Sequence, residues 1–277
     1  MRPIAQAKLI VYRWRLAQVT TSRAPASHCY GWGMQKPNEA RTPRRRSRAP
    51  RIILLSLFAL GVALLFRQGL VPSPLSPFPA LDLAQPNPWF VDWRLAELKN
   101  NRELCPRVLK APHVAAQPIP DHRGSDGCGW INAVRLESAG GVRAGFDKVT
   151  CEVSAALALW LEHDVQAIAR EMLGQRVVSI QSFGSYSCRN IIGNPFWKNM
   201  KSEHAFANAV DIGAFNLADG RRISVAQHWK GDGVEARFLK AVHGRACRYF
   251  RVALSPEYNQ AHHDHLHLDR GPLWRCK

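Results

Sequence analysis

Two hydrophobic patterns divide this chain. The first is an unbroken apolar run from Ile52 to Phe66, preceded by six arginines between Arg41 and Arg51. Fifteen residues fall short of the roughly 20 that cross a bilayer core, but Gly69, Leu70 and Val71 extend the stretch and Arg67 can reach back to the headgroups. The arginines precede the run, which keeps residues 1–51 cytoplasmic and sends the remainder across the membrane. No small-x-small cleavage site follows, so the expectation is a signal-anchor over residues 52–71 rather than a cleaved signal. Residues 1–33 fit poorly ahead of such a segment, and Met34 would open a conventional short basic leader. Prolines at 72, 74, 77 and 79 then mark a semi-rigid linker, residues 72–94, before a folded domain over residues 95–277.

The second pattern alternates short strand-like and helix-like stretches. Cys128–Leu136 reads as a strand before a turn at Gly140-Gly141, and Arg176–Phe183 as another. Between them Thr150 can cap a helix that buries Val153, Leu157, Trp160, Leu161, Val165 and Ile168 and stops at Gly174. Ala209–Phe215, Tyr249–Leu254 and His263–Asp269 read as strands, and Gly233–His243 as a helix. Helices and strands mix without a repeating strand–helix alternation, which predicts an α+β domain.

Charge and cysteine usage add a compartment. The formal net charge is +17, but residues 1–84 hold thirteen Lys/Arg against two acids, so the excess belongs mostly to the leader. Nucleic acid is therefore not the expected partner. Of seven cysteines only Cys29 precedes the apolar run; the other six, from Cys105 to Cys276, lie beyond it. An even number on the translocated side predicts up to three disulfides in an oxidising space, with the connectivity left open. Zinc ligation by cysteine is disfavoured, since no Cys-x-x-Cys pair occurs.

The chemistry concentrates in the last quarter. A hydrolytic metal site wants three imidazole or carboxylate ligands and one open position. His204, Asp211 and one histidine of the run His262-His263-Asp264-His265-Leu266-His267-Leu268-Asp269 supply such a set. On a strand, His263, His265, His267 and Asp269 share one face while Leu266 and Leu268 face the core. One histidine can therefore hold a metal while another works beside it; His265 is the expected base or oxyanion stabiliser. Asp269 either orients a ligand histidine or merely ends the strand. His262 and His263 read as loop residues. Ser202 has no base beside it, so a local hydrogen bond fixing His204 is favoured over contact with substrate, and Tyr186 is near enough in sequence to line a groove.

The spacing Ser202, His204, Asp211, His265, His267 resembles that of the lysostaphin, D-Ala-D-Ala and sonic-hedgehog type zinc metallopeptidases. Gly184-Ser185-Tyr186-Ser187-Cys188-Arg189, the Ser-Glu-His segment, the cysteine spacing and the histidine-rich ending resemble the bacterial extensin-like C-terminal domain over about residues 100–277. The resemblance implies a small antiparallel sheet flanked by helices with a zinc groove, and His204, Asp211 and His267 as the ligands. It also implies Arg189 as a substrate-holding residue and Asp264 as a rival to His265 for the base. The expected function is a zinc-dependent peptidase, of DD-carboxypeptidase or endopeptidase type, acting as a monomer on peptidoglycan peptides in the periplasm. The alternative is a non-catalytic, zinc-braced module that binds cell-wall peptides.

Overall fold

The computed structural model describes residues 49–68, 70, 80–86 and 88–277; the Met34 start, most of the basic segment and residues 71–79 of the linker lie outside them. The apolar run forms helix α1, Ala49–Arg67, with no residue buried. Among the described residues it is the one helix long and apolar enough to cross a membrane, consistent with a single anchor or a signal sequence.

Short helices α2 (Val91–Ala96) and α3 (Leu104–Leu109) lead into strand β1 (Ala115–Pro118), a ribbon of β2 (His122–Arg123) and β3 (Gly129–Trp130), and a hairpin of β4 (Ala133–Ala139) and β5 (Val142–Thr150). Helix α4 (Cys151–Leu159), a π-helical turn over Trp160–Val165 and α5 (Gln166–Leu173) carry the chain to β6 (Val177–Gly184). After a long loop come β7 (Ala209–Leu217), β8 (Arg222–Ser224), α6 (Val225–His228), α7 (Val234–Ala246), β9 (Val252–Leu254), β10 (Leu266–Asp269) and β11 (Arg275–Cys276). Leu81 and Leu83 are already buried in the core, so packing starts inside the stretch read as linker.

The sheet is larger than expected. Nine strands run in the order β1-β4-β5-β6-β7-β10-β9-β11, with β8 beside β7. It is mixed rather than antiparallel, because β5 pairs with β6, and β9 with β11, in parallel. The physical source is the hairpin. Gly140 and Gly141 take positive φ at its corner, and Val142, Ala144 and Phe146 point inward while Arg143, Gly145 and Asp147 face out. The helical crossover then returns the chain alongside β5, the connection a parallel pair requires. Three strands are thereby added to the edge of the β6-β7-β10-β9 sheet.

The crossover is capped as its sequence predicts. The Thr150 hydroxyl accepts from the Val153 amide, and Gly174 ends α5 at φ 66°. Its first half is buried on all sides rather than along one stripe. The Trp160 ring packs edge-on to Phe215 and Phe250, and its indole N–H donates to the Val242 carbonyl at 2.9 Å. The strand expected over Cys128–Leu136 breaks at Asn132, which sits at φ 51° because its amide side chain donates to the carbonyls of Leu98 and Asn101. All six distal cysteines pair, as Cys105–Cys151, Cys128–Cys188 and Cys247–Cys276.

A buried ionic chain locks the layers together. Glu152, in the first turn of α4, meets Arg270 at 2.7 Å, and Arg270 also reaches Asp92 of α2 at 2.9 Å. Arg251 closes on the same Asp92 carboxylate at 2.8 Å. Arg270→Ala leaves the Glu152 carboxylate buried without its cation, and the expected cost is about 3–5 kcal/mol, read as a lower denaturation midpoint of the oxidised protein. Burial alone would push the Asp92 carboxyl up, but the hydrogen bond from Arg251 and the charge of Arg270 hold it below its usual value. Its stabilising effect is therefore complete above the unfolded pKa of about 3.9 and is lost as pH falls through the lower folded value. Acid titration of stability should show that decline in wild type and less of it in Asp92→Asn.

Candidate metal centre

The site begins with strand register. β10 pairs antiparallel with β7 so that His267 stands directly opposite Asp211, while Leu266 and Leu268 face Ile212 and Val210 in the core. The pleat then forces His267, Asp211 and Asp269 to the other face. A bulge at Gly213 shifts the parity of β7, so Phe215 and Leu217 also reach the core although Asp211 does not.

His204 arrives from the loop before β7. It lies in a 3₁₀ turn, Glu203–Phe206, opened by Ser202, whose hydroxyl accepts from the His204 amide at 3.4 Å. The Ser187 amide donates to the His204 carbonyl, tying the turn to the Gly184–Arg189 segment. His204 Nε2 stands 3.1 Å from His267 Nδ1 and 3.1 Å from Asp211 Oδ2, and His267 Nδ1 lies 3.0 Å from Asp211 Oδ1.

Hydrogen bonding behind each ring decides what the front presents. His204 Nδ1 donates to the Ser185 carbonyl at 3.3 Å, which leaves the Nε2 lone pair forward. His267 Nε2 donates to Asp269 Oδ2 at 2.9 Å, which leaves the Nδ1 lone pair forward. Two lone pairs and a carboxylate thus converge on one buried point, and three acceptors there require a cation. Ligand atoms about 2.0–2.1 Å from a tetrahedral zinc stand roughly 3.3 Å apart, close to the spacing present, so the residues fit a zinc ion. Without a metal a proton takes that role. Burial would lower His267, but the hydrogen bonds to Asp211 and Asp269 raise it to about 10. Burial would likewise raise Asp211, and its bonds to His204 and His267 instead hold it far below the usual carboxylate range.

The expected strand over His263–Asp269 is shorter, starting at Leu266, because Asn259 caps a 3₁₀ turn over Gln260–His262 and the chain bends before β10. His265 nevertheless reaches the centre, with Nε2 3.5 Å from Asp211 Oδ1. Its Nδ1 donates to Asp264 Oδ1 at 2.9 Å, and the Phe183 ring packs edge-on against it. The Asp264 carboxylate is thus engaged in orienting His265. His263 is largely exposed and bonds its own turn. Asp269 takes the orienting role of the two considered for it.

His262, read as a loop residue, belongs to the site. Its ring packs on those of His265 and His267, and its Nδ1 donates to Asn259 Oδ1 at 2.6 Å. Burial, with the nearby His267 and His265, pushes its pKa down to about 3, so it stays neutral and offers Nε2 as an acceptor. The density of histidines was the signal; only the turn brings this one inward.

A groove of about 210 Å³ opens beside the cluster. Arg189, Lys201 and Arg275 bring cationic groups to it, and Trp197, Tyr258 and Trp274 bring aromatic faces. Ser202 borders the groove while serving its local hydrogen bond. Tyr186 does not line it; its ring packs edge-on to Trp130 and beneath the Lys148 ammonium. Tyr258, Trp197, Trp274 and Arg275 were not legible as site residues, since three lie on loops and Arg275 on the short strand β11, whose paths depend on the fold.

Residues 103–277, more than half of the chain, match the family described as Extensin-like protein C-terminus, and the chain belongs to that family. No curated protein and no solved structure matches it.

Two measurements test the centre. Metal analysis after zinc reconstitution should find about one zinc per chain, and His204→Ala, Asp211→Ala and His267→Ala should each lose most of it, since two ligands seldom suffice. A Cβ at Gly213 would fall 2.5 Å from the Phe183 ring, which packs on His265. Gly213→Ala should therefore retain zinc yet shift the His265 ring resonances in an NMR spectrum.

Proposed function

We propose that this protein is a zinc-dependent peptidase acting on peptidoglycan stem or cross-link peptides, related in its site to the lysostaphin, D-Ala-D-Ala and sonic-hedgehog type enzymes. The observation that carries the reading is the pair of tautomer-fixed histidines aimed, with Asp211, at one buried point beside a second, independently oriented histidine. His204, Asp211 and His267 would hold zinc, which supplies Lewis acidity toward water and an amide carbonyl.

The chain's own groups supply the rest. His265 is held with its Nδ1–H on Asp264, so Nε2 is free to take a proton from attacking water or, once protonated, to donate to the developing oxyanion. Asp264 acts through His265 as a positioning residue. Arg189, on the groove wall, offers a fork suited to a peptide carboxylate or carbonyl. Burial of His204 and His267 keeps bulk water from competing with the hydrogen bonds that fix them.

The arginine block ahead of α1 supports an inner-membrane anchor with the folded domain in the periplasm, where the three disulfides persist.

Digestion of purified sacculi by the zinc-loaded protein, followed by mass spectrometry, should release peptide fragments. His265→Ala should keep zinc and fold while losing about 10²–10⁴ in rate, and Asp264→Asn should lose less. Zinc-dependent binding to sacculi with no product from wild type would replace the peptidase with a binding module.

A further inference from the structure

The apolar helix α1 does not simply tether the domain; its last turn packs on the domain's surface. Val62, Ala63, Phe66 and Arg67 are half-buried, whereas the preceding residues of α1 are exposed. Phe66 stacks on Trp93 of α2 at 6.1 Å, and Trp93 stacks in turn on Phe90 at 5.8 Å. The Arg67 guanidinium donates to the Pro272 carbonyl at 2.9 Å and lies 5.3 Å from the Trp274 ring, while Arg251 donates to the Arg67 carbonyl at 3.0 Å.

Arg67 ends α1, so with Arg67 at headgroup level the Trp93 ring stacked on Phe66 and the Trp274 ring beside Arg67 stand at that level too. The same end of the domain exposes Trp89 at 82%, Phe90 at 55%, Leu273 at 41% and Trp274 at 54%. Tryptophan is the residue that a bilayer interface favours. The length of α1 agrees: its charge-free run, about 22 Å long, falls short of a 30 Å hydrocarbon core, and apolar side chains of the domain at its outer end make up the deficit.

We propose that this aromatic face is a membrane-docking surface, seated in the interface of the bilayer that α1 crosses. Pro272, Leu273 and Trp274 are at once part of that face and one wall of the groove. The groove therefore opens at the membrane surface, and the peptides it receives are those presented next to lipid headgroups. The proposal rests on the anchor reading above and deepens it.

The test uses the full chain in vesicles of phosphatidylethanolamine and phosphatidylglycerol carrying bromine near the headgroup end of the acyl chains. Tryptophan fluorescence should be quenched, and Trp89→Phe with Trp274→Phe should lose most of that quenching. Carbonate extraction is run on the same vesicles. Protein that resists extraction while the double variant is quenched in the same proportion as wild type overturns the docking surface and leaves the anchor standing. Protein released by carbonate overturns the anchor, and the docking surface with it.

Discussion

The register between β7 and β10 is the constraint on which the site depends. Asp211 faces His267 because Val210 and Ile212 must pair with Leu268 and Leu266 in the core. A slip of β10 by one residue would put His267 and Asp269 into the hydrophobic layer and Leu266 and Leu268 into the groove, so the core holds the register. The hydrophobic core thus sets the distance between two candidate ligands that lie 56 residues apart. Only His204 is placed differently, by a capped turn tied to the backbone of the Gly184–Arg189 segment.

The same few residues of β10 and its exit serve three environments in succession. Leu268 enters the core, Asp269 holds the back of His267, and Arg270 turns inward to Glu152 and Asp92. Asp269 also accepts from the Gly271 amide, which starts the wall that carries Leu273 and Trp274. Core packing, the orientation of His267 and groove shape are therefore coupled over four consecutive positions. The Phe183 ring, lying across Gly213, gives His265 a comparable brace from β6.

The sequence made local features plain and hid those set by tertiary packing. Thr150 and Gly174 bounded the crossover helix because capping is decided within one turn of chain. Leu266 and Leu268 disclosed the faces of β10 by alternation. The Val142–Thr150 strand carried the same alternation but stood behind a glycine turn that also suits the end of a sheet, so its three-strand extension went unread. His265 was placed on the site face by an extended strand, yet it gets there through a bend and a bond to Asp264. His262 shows the limit most clearly: an adjacent histidine in the same run, turned inward by Asn259, which no periodicity describes. The pairing of cysteines was likewise invisible, because 15 connectivities satisfy six residues and only proximity in space selects one.

The Cys247–Cys276 bridge has a topological consequence. It closes a ring of chain that starts at the end of α7, passes through β9, the 3₁₀ turn with His262, the His265 bend and β10, and returns at the groove wall. Half of the cluster is therefore carried on a covalent loop that the other half, on β7 and its entry turn, does not share. A protease that nicks the chain at Glu257 or Gln260, both exposed, opens this ring without releasing either piece. Both cut ends remain stapled to the body of the protein, one by the backbone and one by sulfur, and the paired strands stay in place to hold the histidines together.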